Sequence, residues 1–297
     1  ATTGSRAYHC DGYQVINGVR IKCVAYSRGG HGTINICQSL MESCNDVLMQ
    51  LGADLGKRKF LQYVNEFGFG KKTGIDLPGE ATGGVFTNDT MHAVELATSS
   101  FGQGQTVTMI QMAAAFSSVI NGGNYYEPHV VKEVKSENGA VLESNDNALV
   151  RRVITENTSK KLRKYLYKTV EEGTALPAKV AGYQIGGKTG TAEKHPTGRG
   201  NYLVSFIGFA TKDNPEVMIY VTIDEPHVAD QAHSTYATQF SSEVLKEVLP
   251  VLGMYQDSST KKADKTKASD IKLPSTKEAP DGGYSDGTYS VAGDQTD

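Results

Sequence analysis

Two short segments carry side chains that could do chemistry. The first is Gly186-Gly187-Lys188-Thr189-Gly190-Thr191-Ala192. Together with Gly182 it satisfies the phosphate-loop pattern G-x-x-x-x-G-K-[ST], and residues 217–224 imitate the apolar strand ending in an aspartate, Asp224, that would hold magnesium. That pattern has meaning only where the loop opens a helix, whose N-terminus then receives the phosphates. Gly190, Pro196, Gly198 and Gly200 follow too closely for a stable helix, so nucleotide binding is set aside. The other reading makes Lys188-Thr189-Gly190-Thr191 the edge of a strand lining a groove. Lys188 would bring positive charge there, and the Thr189 and Thr191 hydroxyls could donate to a substrate carboxylate. Gly187 and Gly190 would leave room for a ligand backbone. The second segment is Ser43-Cys44-Asn45. Ser and Asn often break or cap helices, and the triplet sits between helical stretches. A hydroxyl near Lys188 could also relay a proton, and the Asn45 amide could bind a peptide.

The elements that must position these residues are helices and strands in uneven alternation. Apolar residues at three-to-four spacing predict helices over 34–51 and 58–67. Thr108 and Gln111 read as a capping box before an apolar, alanine-rich helix over 109–120, expected to be buried all round and ended by Asn121-Gly122-Gly123. Residues 159–172 read as a polar, surface-type helix, and 237–251 as the closing helix. Strands are clearest at 184–191, 203–210 and 217–223, between turns rich in Gly, Pro, Asn and Asp. Links this short imply an antiparallel meander, since parallel strands need longer crossovers.

The chain's 297 residues can bury a substantial core. A formal net charge of −3 gives no basic patch, so no nucleic-acid partner is expected. No apolar run approaches the roughly 18–20 residues needed to span a bilayer. The chain begins at Ala1 without Met or a secretory signal, as a fragment or processed product would. From about Gln256 the sequence is Ser, Thr, Lys, Asp and Gly with almost no large aliphatics, which predicts a disordered tail over 256–297 after a folded domain over 1–255. Cys10, Cys23, Cys37 and Cys44 show no metal-ligand spacing. Cys10 and Cys23 flank a hairpin turning at Asn17-Gly18 and would lie nearly opposite one another. They could form a disulfide in an oxidising compartment, or remain buried thiols. None of the seven histidines forms a recognisable catalytic or metal arrangement.

Taken together, the two triplets match the S-x-N and K-T-G parts of the motif set shared by penicillin-binding proteins and serine β-lactamases. Further stretches follow in order: Tyr8-His9-Cys10-Asp11-Gly12-Tyr13, His31-Gly32-Thr33-Ile34, Phe67-Gly68-Phe69-Gly70 and Leu77-Pro78-Gly79-Glu80. Ser100-Phe101-Gly102-Gln103-Gly104-Gln105, Pro128-His129-Val130-Val131, Glu172-Gly173-Thr174-Ala175 and Val204-Ser205-Phe206-Ile207-Gly208-Phe209-Ala210 complete the series. Over residues 8–255 the chain resembles the transpeptidase domain of a class B, high-molecular-weight penicillin-binding protein.

The resemblance implies an α/β fold, an antiparallel five-stranded sheet covered by helices on both faces. It implies cross-linking of peptidoglycan stem peptides through an acyl-enzyme, with β-lactams as inhibitors, no cofactor and no metal. By position, Ser43 and Lys188 belong to a proton-transfer network and Asn45 orients the substrate amide. Thr189, Gly190 and Thr191 bind substrate, with the Thr191 N–H similar to the family's second oxyanion donor. Cell-wall synthesis proteins are further partners, and the location is the extracytoplasmic face of the bacterial membrane, through an anchor not in this chain. The S-x-x-K motif, which supplies the nucleophile and its lysine, should precede Tyr8 and is absent there. Its matches at Ser258–Lys261 and Ser269–Lys272 read as chance in a Ser/Lys-rich tail. The chain alone is therefore expected not to acylate. Two alternatives stand beside this. One is a non-catalytic stem-peptide scaffold. The other is a β-lactamase or β-lactam sensor, against which Glu80, in Gly79-Glu80-Ala81, reads as a turn residue rather than a base.

Overall fold

The computed structural model describes Gly4 and residues 6–145 and 149–256. The tail expectation and both late S-x-x-K matches fall almost wholly outside these residues. In chain order the elements are β1 (Ala7–Cys10), β2 (Tyr13–Ile16), β3 (Val19–Lys22), β4 (Gly32–Asn35), α1 (Ile36–Met41), α2 (Asn45–Leu55) and α3 (Lys57–Glu66). Then come α4 (Ala93–Ser100), α5 (Met109–Ile120), β5 (Asn124–Tyr126), β6 (Glu133–Lys135), β7 (Val141–Ser144) and β8 (Leu149–Arg152). The last part holds α6 (Glu156–Glu172), β9 (Ile185–Glu193), β10 (Tyr202–Ala210), β11 (Val217–Asp224) and α7 (Thr235–Val251). Among the described residues no helix is long and apolar enough to cross a membrane.

The meander is the expected one: β9, β10 and β11 pair antiparallel in the order β11-β10-β9. Where the resemblance implies five strands, the described residues hydrogen-bond three into this sheet. The other strands close on one another as two-stranded ribbons, β1 with β4, β2 with β3, β5 with β8 and β6 with β7. Strand β10 is buried on both faces because its side chains alternate. Phe206 joins Leu245 and Leu249 of α7 in one core cluster, and Phe209 joins Ile120 of α5 and Leu166 of α6 in another. Helices therefore cover both sides of the sheet.

Helix α5 begins with the expected reciprocal cap, Thr108 accepting from the Gln111 N–H and Gln111 accepting from the Thr108 N–H. Only one side of it is buried, however: Met109 is half exposed, while Gln111, Ala114, Ala115 and Ser118 face inward. Helix α6 corrects the surface-type expectation. It starts three residues earlier, with Thr155 as its cap, and buries Ser159, Leu166, Thr169 and Val170, because its sparse apolar stripe packs on the sheet.

The helix expected over 34–51 is broken. Ile34 belongs to β4, and α1 ends in a Schellman turn. The Cys44 N–H donates to the Ser39 carbonyl at 2.9 Å and the Ser43 N–H to the Leu40 carbonyl at 3.3 Å. That motif puts Ser43 in the left-handed region, φ +53°, at the position glycine usually takes. A Cβ in this conformation costs roughly 1–2 kcal/mol. Ser43→Gly is thus expected to raise stability by about 1 kcal/mol, seen as a higher denaturation midpoint with an unchanged slope. A lower midpoint would mean that the hydroxyl stabilises the fold more than the backbone strains it.

Candidate active site

Lys188 lies in the middle of β9, opposite Ile207 of β10. Its ammonium reaches Ser43 Oγ at 2.8 Å, the Thr189 carbonyl at 3.1 Å and Thr189 Oγ1 at 3.2 Å. Two of the expected site residues, 145 positions apart, are thereby in direct hydrogen-bond contact. The side chain keeps some solvent contact, yet its charged end is set deep among neighbouring groups. Burial pushes the ammonium down from lysine's usual range to about 8. At neutral pH it is mostly a charged donor, and a modest rise in pH makes it a free amine.

Three features hold Ser43 over the strand. Helix α1 packs along α6. The Thr174 N–H, just past the end of α6, donates to the Met41 carbonyl at 2.9 Å. Gly173 allows that approach, since a Cβ there would lie 2.7 Å from the same carbonyl. Thr174 Oγ1 also meets Thr189 Oγ1 at 3.3 Å. The segment Glu172-Gly173-Thr174-Ala175, quoted above only as a matching stretch, is therefore the stitch between α1 and β9. Sequence reasoning gave Thr174 no role, and no local pattern marks one, because both its partners are distant in sequence. Beneath the strand, the buried Thr169 hydroxyl sits against the carbonyls of Leu166 and Gly187.

The other expected residues divide. Asn45 opens α2, and its side-chain amide donates to the Lys22 carbonyl at 3.4 Å rather than to the Lys188 cluster. Thr191 and Gly190 continue β9 opposite Val204 and Ser205, half-buried or exposed at the strand's edge. The space above Gly187 does not serve a ligand: a Cβ there would run into the Phe206 ring and the Ile207 carbonyl, so this glycine is required by core packing. At Gly190 a Cβ would meet only the Ser205 hydroxyl, at 2.5 Å. Lys188 sits within a strand, with no helix following, so the phosphate-loop reading has no structural basis. Glu80 is a turn staple, accepting from the Thr73 N–H and hydroxyl at 2.6 Å each and from the Gly74 N–H at 3.2 Å. Those bonds, the Thr73 hydroxyl's first, hold its carboxyl below the usual range.

The cysteines depart most from expectation. All four are free thiols. Cys10 is not a hairpin partner of Cys23, because it ends β1 and pairs with Gly32 of β4. The hairpin itself turns as expected, with Asn17 and Gly18 both at positive φ. Cys10, Cys23 and Cys44 nevertheless converge with His31, their ligand atoms all within 4.8 Å of one another, despite spacings that match no metal motif. Cys37 stands apart, near Met41.

Residues 1–248 match the model of the penicillin-binding protein transpeptidase domain. Stage V sporulation protein D of Bacillus subtilis is 41% identical over 251 residues, covering 83% of this chain and 38% of that protein. The probable peptidoglycan D,D-transpeptidase PenA of Neisseria flavescens is 29% identical over 247 residues, covering 82% of this chain and 58% of that one. Among solved structures, penicillin-binding protein 3 of Mycobacterium tuberculosis in complex with ampicillin superposes with a TM-score of 0.77 at 25% identity, over 86% of this chain and 59% of that one. The chain thus spans between about two fifths and three fifths of these relatives' lengths. Its matched length, its two-sided helix-covered meander and the Lys188–Ser43 contact agree, and the chain belongs to the transpeptidase domain family of class B penicillin-binding proteins.

Proposed function

We propose that this chain forms the substrate-binding and proton-relay part of a peptidoglycan D,D-transpeptidase, acting at the extracytoplasmic face of a bacterial membrane. The observation that carries the reading is the hydrogen bond from the Lys188 ammonium to the Ser43 hydroxyl, beside the Thr189 hydroxyl on the edge of β9. An ammonium flanked by hydroxyls, with no carboxylate paired to it among the described residues, suits the terminal carboxylate of a stem peptide or of a β-lactam. The Ser43 hydroxyl, bonded to a lysine whose amine form is accessible near pH 8, suits a proton relay. Thr191 is the residue whose N–H would meet the developing oxyanion, and Asn45 would hold the substrate amide once it leaves the Lys22 carbonyl. The nucleophilic serine and its lysine would come from an S-x-x-K segment, which does not occur among the described residues, so those residues by themselves are expected not to form an acyl-enzyme. A hydrolase reading gains nothing from Glu80, whose two oxygens are occupied by the Thr73–Gly74 turn.

A fluorescent penicillin tests this directly, applied to the chain and to a version extended upstream through S-x-x-K. Only the extended protein is expected to form a covalent adduct. If neither labels while both fold, the groove is that of a non-catalytic stem-peptide scaffold. In the extended protein Lys188→Ala is expected to slow acylation by about 10²–10⁴-fold, and an unchanged rate would remove Lys188 from the mechanism.

The titration of Lys188 gives a second check. Its folded pKa lies below the unfolded value of about 10.4. The unfolded chain therefore binds more protons between about pH 8 and 10.4, and this residue's contribution to stability rises with pH across that window. Its side-chain NMR signals are expected to titrate near pH 8, and to move back toward the ordinary lysine range when a carboxylate ligand is bound. A midpoint near 10.4 without ligand would contradict the buried geometry.

A further inference from the structure

We propose that Cys10, Cys23, His31 and Cys44 form a structural zinc site that pins the turn carrying Ser43. The inference rests on the geometry and chemistry of these four side chains and is independent of the transpeptidase reading.

A tetrahedral zinc with Zn–S near 2.3 Å and Zn–N near 2.0–2.1 Å requires sulfurs about 3.8 Å apart and sulfur–nitrogen separations of about 3.5–3.6 Å. Cys23 Sγ lies 3.8 Å from Cys44 Sγ, and His31 Nδ1 lies 3.4 Å from Cys10 Sγ and 3.6 Å from Cys23 Sγ. Three of the six edges of such a tetrahedron are thus in place, and all four ligand atoms lie within 4.8 Å of one another. Three thiols and an imidazole are the soft donor set of a closed structural zinc centre.

Two blander accounts explain less. Buried thiols serving as small apolar side chains have no reason to gather round an imidazole nitrogen. Tyr8, Ala25, Ile34 and Val47 surround this cluster and offer the ring no polar partner, and its other nitrogen, Nε2, is buried without one. A disulfide would join two of the sulfurs and strand the third beside the histidine. The backbone is shaped to the cluster as well. Gly30 packs so closely on the Cys10 carbonyl and the Asp11 backbone that a Cβ would collide, and this close approach carries His31 inward.

Each ligand comes from a different element end: Cys10 from the last residue of β1, Cys23 from just beyond β3, His31 from just before β4, and Cys44 from the cap of α2. A metal there would join four segments that already meet in one small apolar cluster. Cys44 directly follows Ser43, so ligation at residue 44 would fix the left-handed turn from which the Ser43 hydroxyl reaches Lys188.

The test uses the full 297-residue chain, expressed with zinc in the medium and purified without chelator. One zinc per chain is expected by elemental analysis. Its release by a mercurial thiol reagent should be visible with a metal-sensitive dye. Cobalt(II) in place of zinc should show thiolate-to-metal charge transfer and the intense visible bands of a tetrahedral ion. Cys44→Ser and His31→Ala should weaken binding by more than the roughly 10–100-fold that loss of an outer-sphere partner costs. Cys37→Ser, outside the cluster, should keep the full metal content. His31→Cys should also keep it, with a cobalt spectrum shifted toward four sulfurs, a rescue that a purely packing role for His31 would not give. A metal-free chain after zinc loading would overturn the proposal. So would an octahedral cobalt spectrum, equal zinc in Cys44→Ser and the parent chain, or a Cys10–Cys23 disulfide in the zinc-grown protein.

Discussion

Joining Lys188 to Ser43 sets the hardest constraint on this chain, because the two residues are separated by 145 positions and neither segment can find the other locally. Closing so long a loop carries an entropic cost that local propensity cannot offset. Packing offsets it in layers. The meander presents β9 as a firm base, with β10 buried on both faces. Helix α6 lies on β9, and α1 lies on α6. The Thr174 N–H then fixes the last carbonyl of α1. Apolar contact holds the sheet against α7, the buried Thr169 hydroxyl helps tie α6 to β9, and the last few ångströms depend on further polar groups. A lysine placed this way loses solvation before it gains a counter-ion, which is why its pKa falls and why an anionic ligand would find it unpaired.

How much of this was legible in the sequence depended on the range of the signal. The cap of α5 was plain in Thr108 and Gln111, since both partners lie within one turn. The Asn17-Gly18 hairpin was equally plain, because that turn demands positive φ at both residues. The meander showed through as apolar runs between turn clusters. By contrast, the break at Ser43 was invisible to periodicity, which continues through a Schellman turn with only a small phase slip. Strands β1 and β4, with four residues each, were too short to announce themselves, and the exposed ribbon of β6 and β7 lacks a buried face to set a pattern. Gly187 was read for a ligand and proved to be filled by Phe206, a contact across the strand that no single-strand pattern contains. The cysteines failed for the same reason on a larger scale: their convergence is set by four element ends, not by spacing.

The residue between Ser43 and Asn45 shows how tightly these constraints are superimposed. Cys44 caps α2, its sulfur accepting from the Val47 N–H at 3.5 Å. Sulfur is a weak acceptor, and Ser, Thr, Asp or Asn at the same position would cap the helix better. A position chosen for capping alone would not hold a fully buried thiol. That same sulfur lies 3.8 Å from Cys23 and belongs to the convergent cluster. The backbone on its N-terminal side is strained into the left-handed region, and the N–H of Cys44 itself closes the Schellman turn. Strain at residue 43 persists only if the surroundings over-determine it. Its surroundings are the turn's two backbone bonds, the buried sulfur of residue 44 and the ammonium of Lys188. The weak cap and the strained serine thus have one explanation: local stability at this turn is given up so that one hydroxyl stands at hydrogen-bond distance from one lysine.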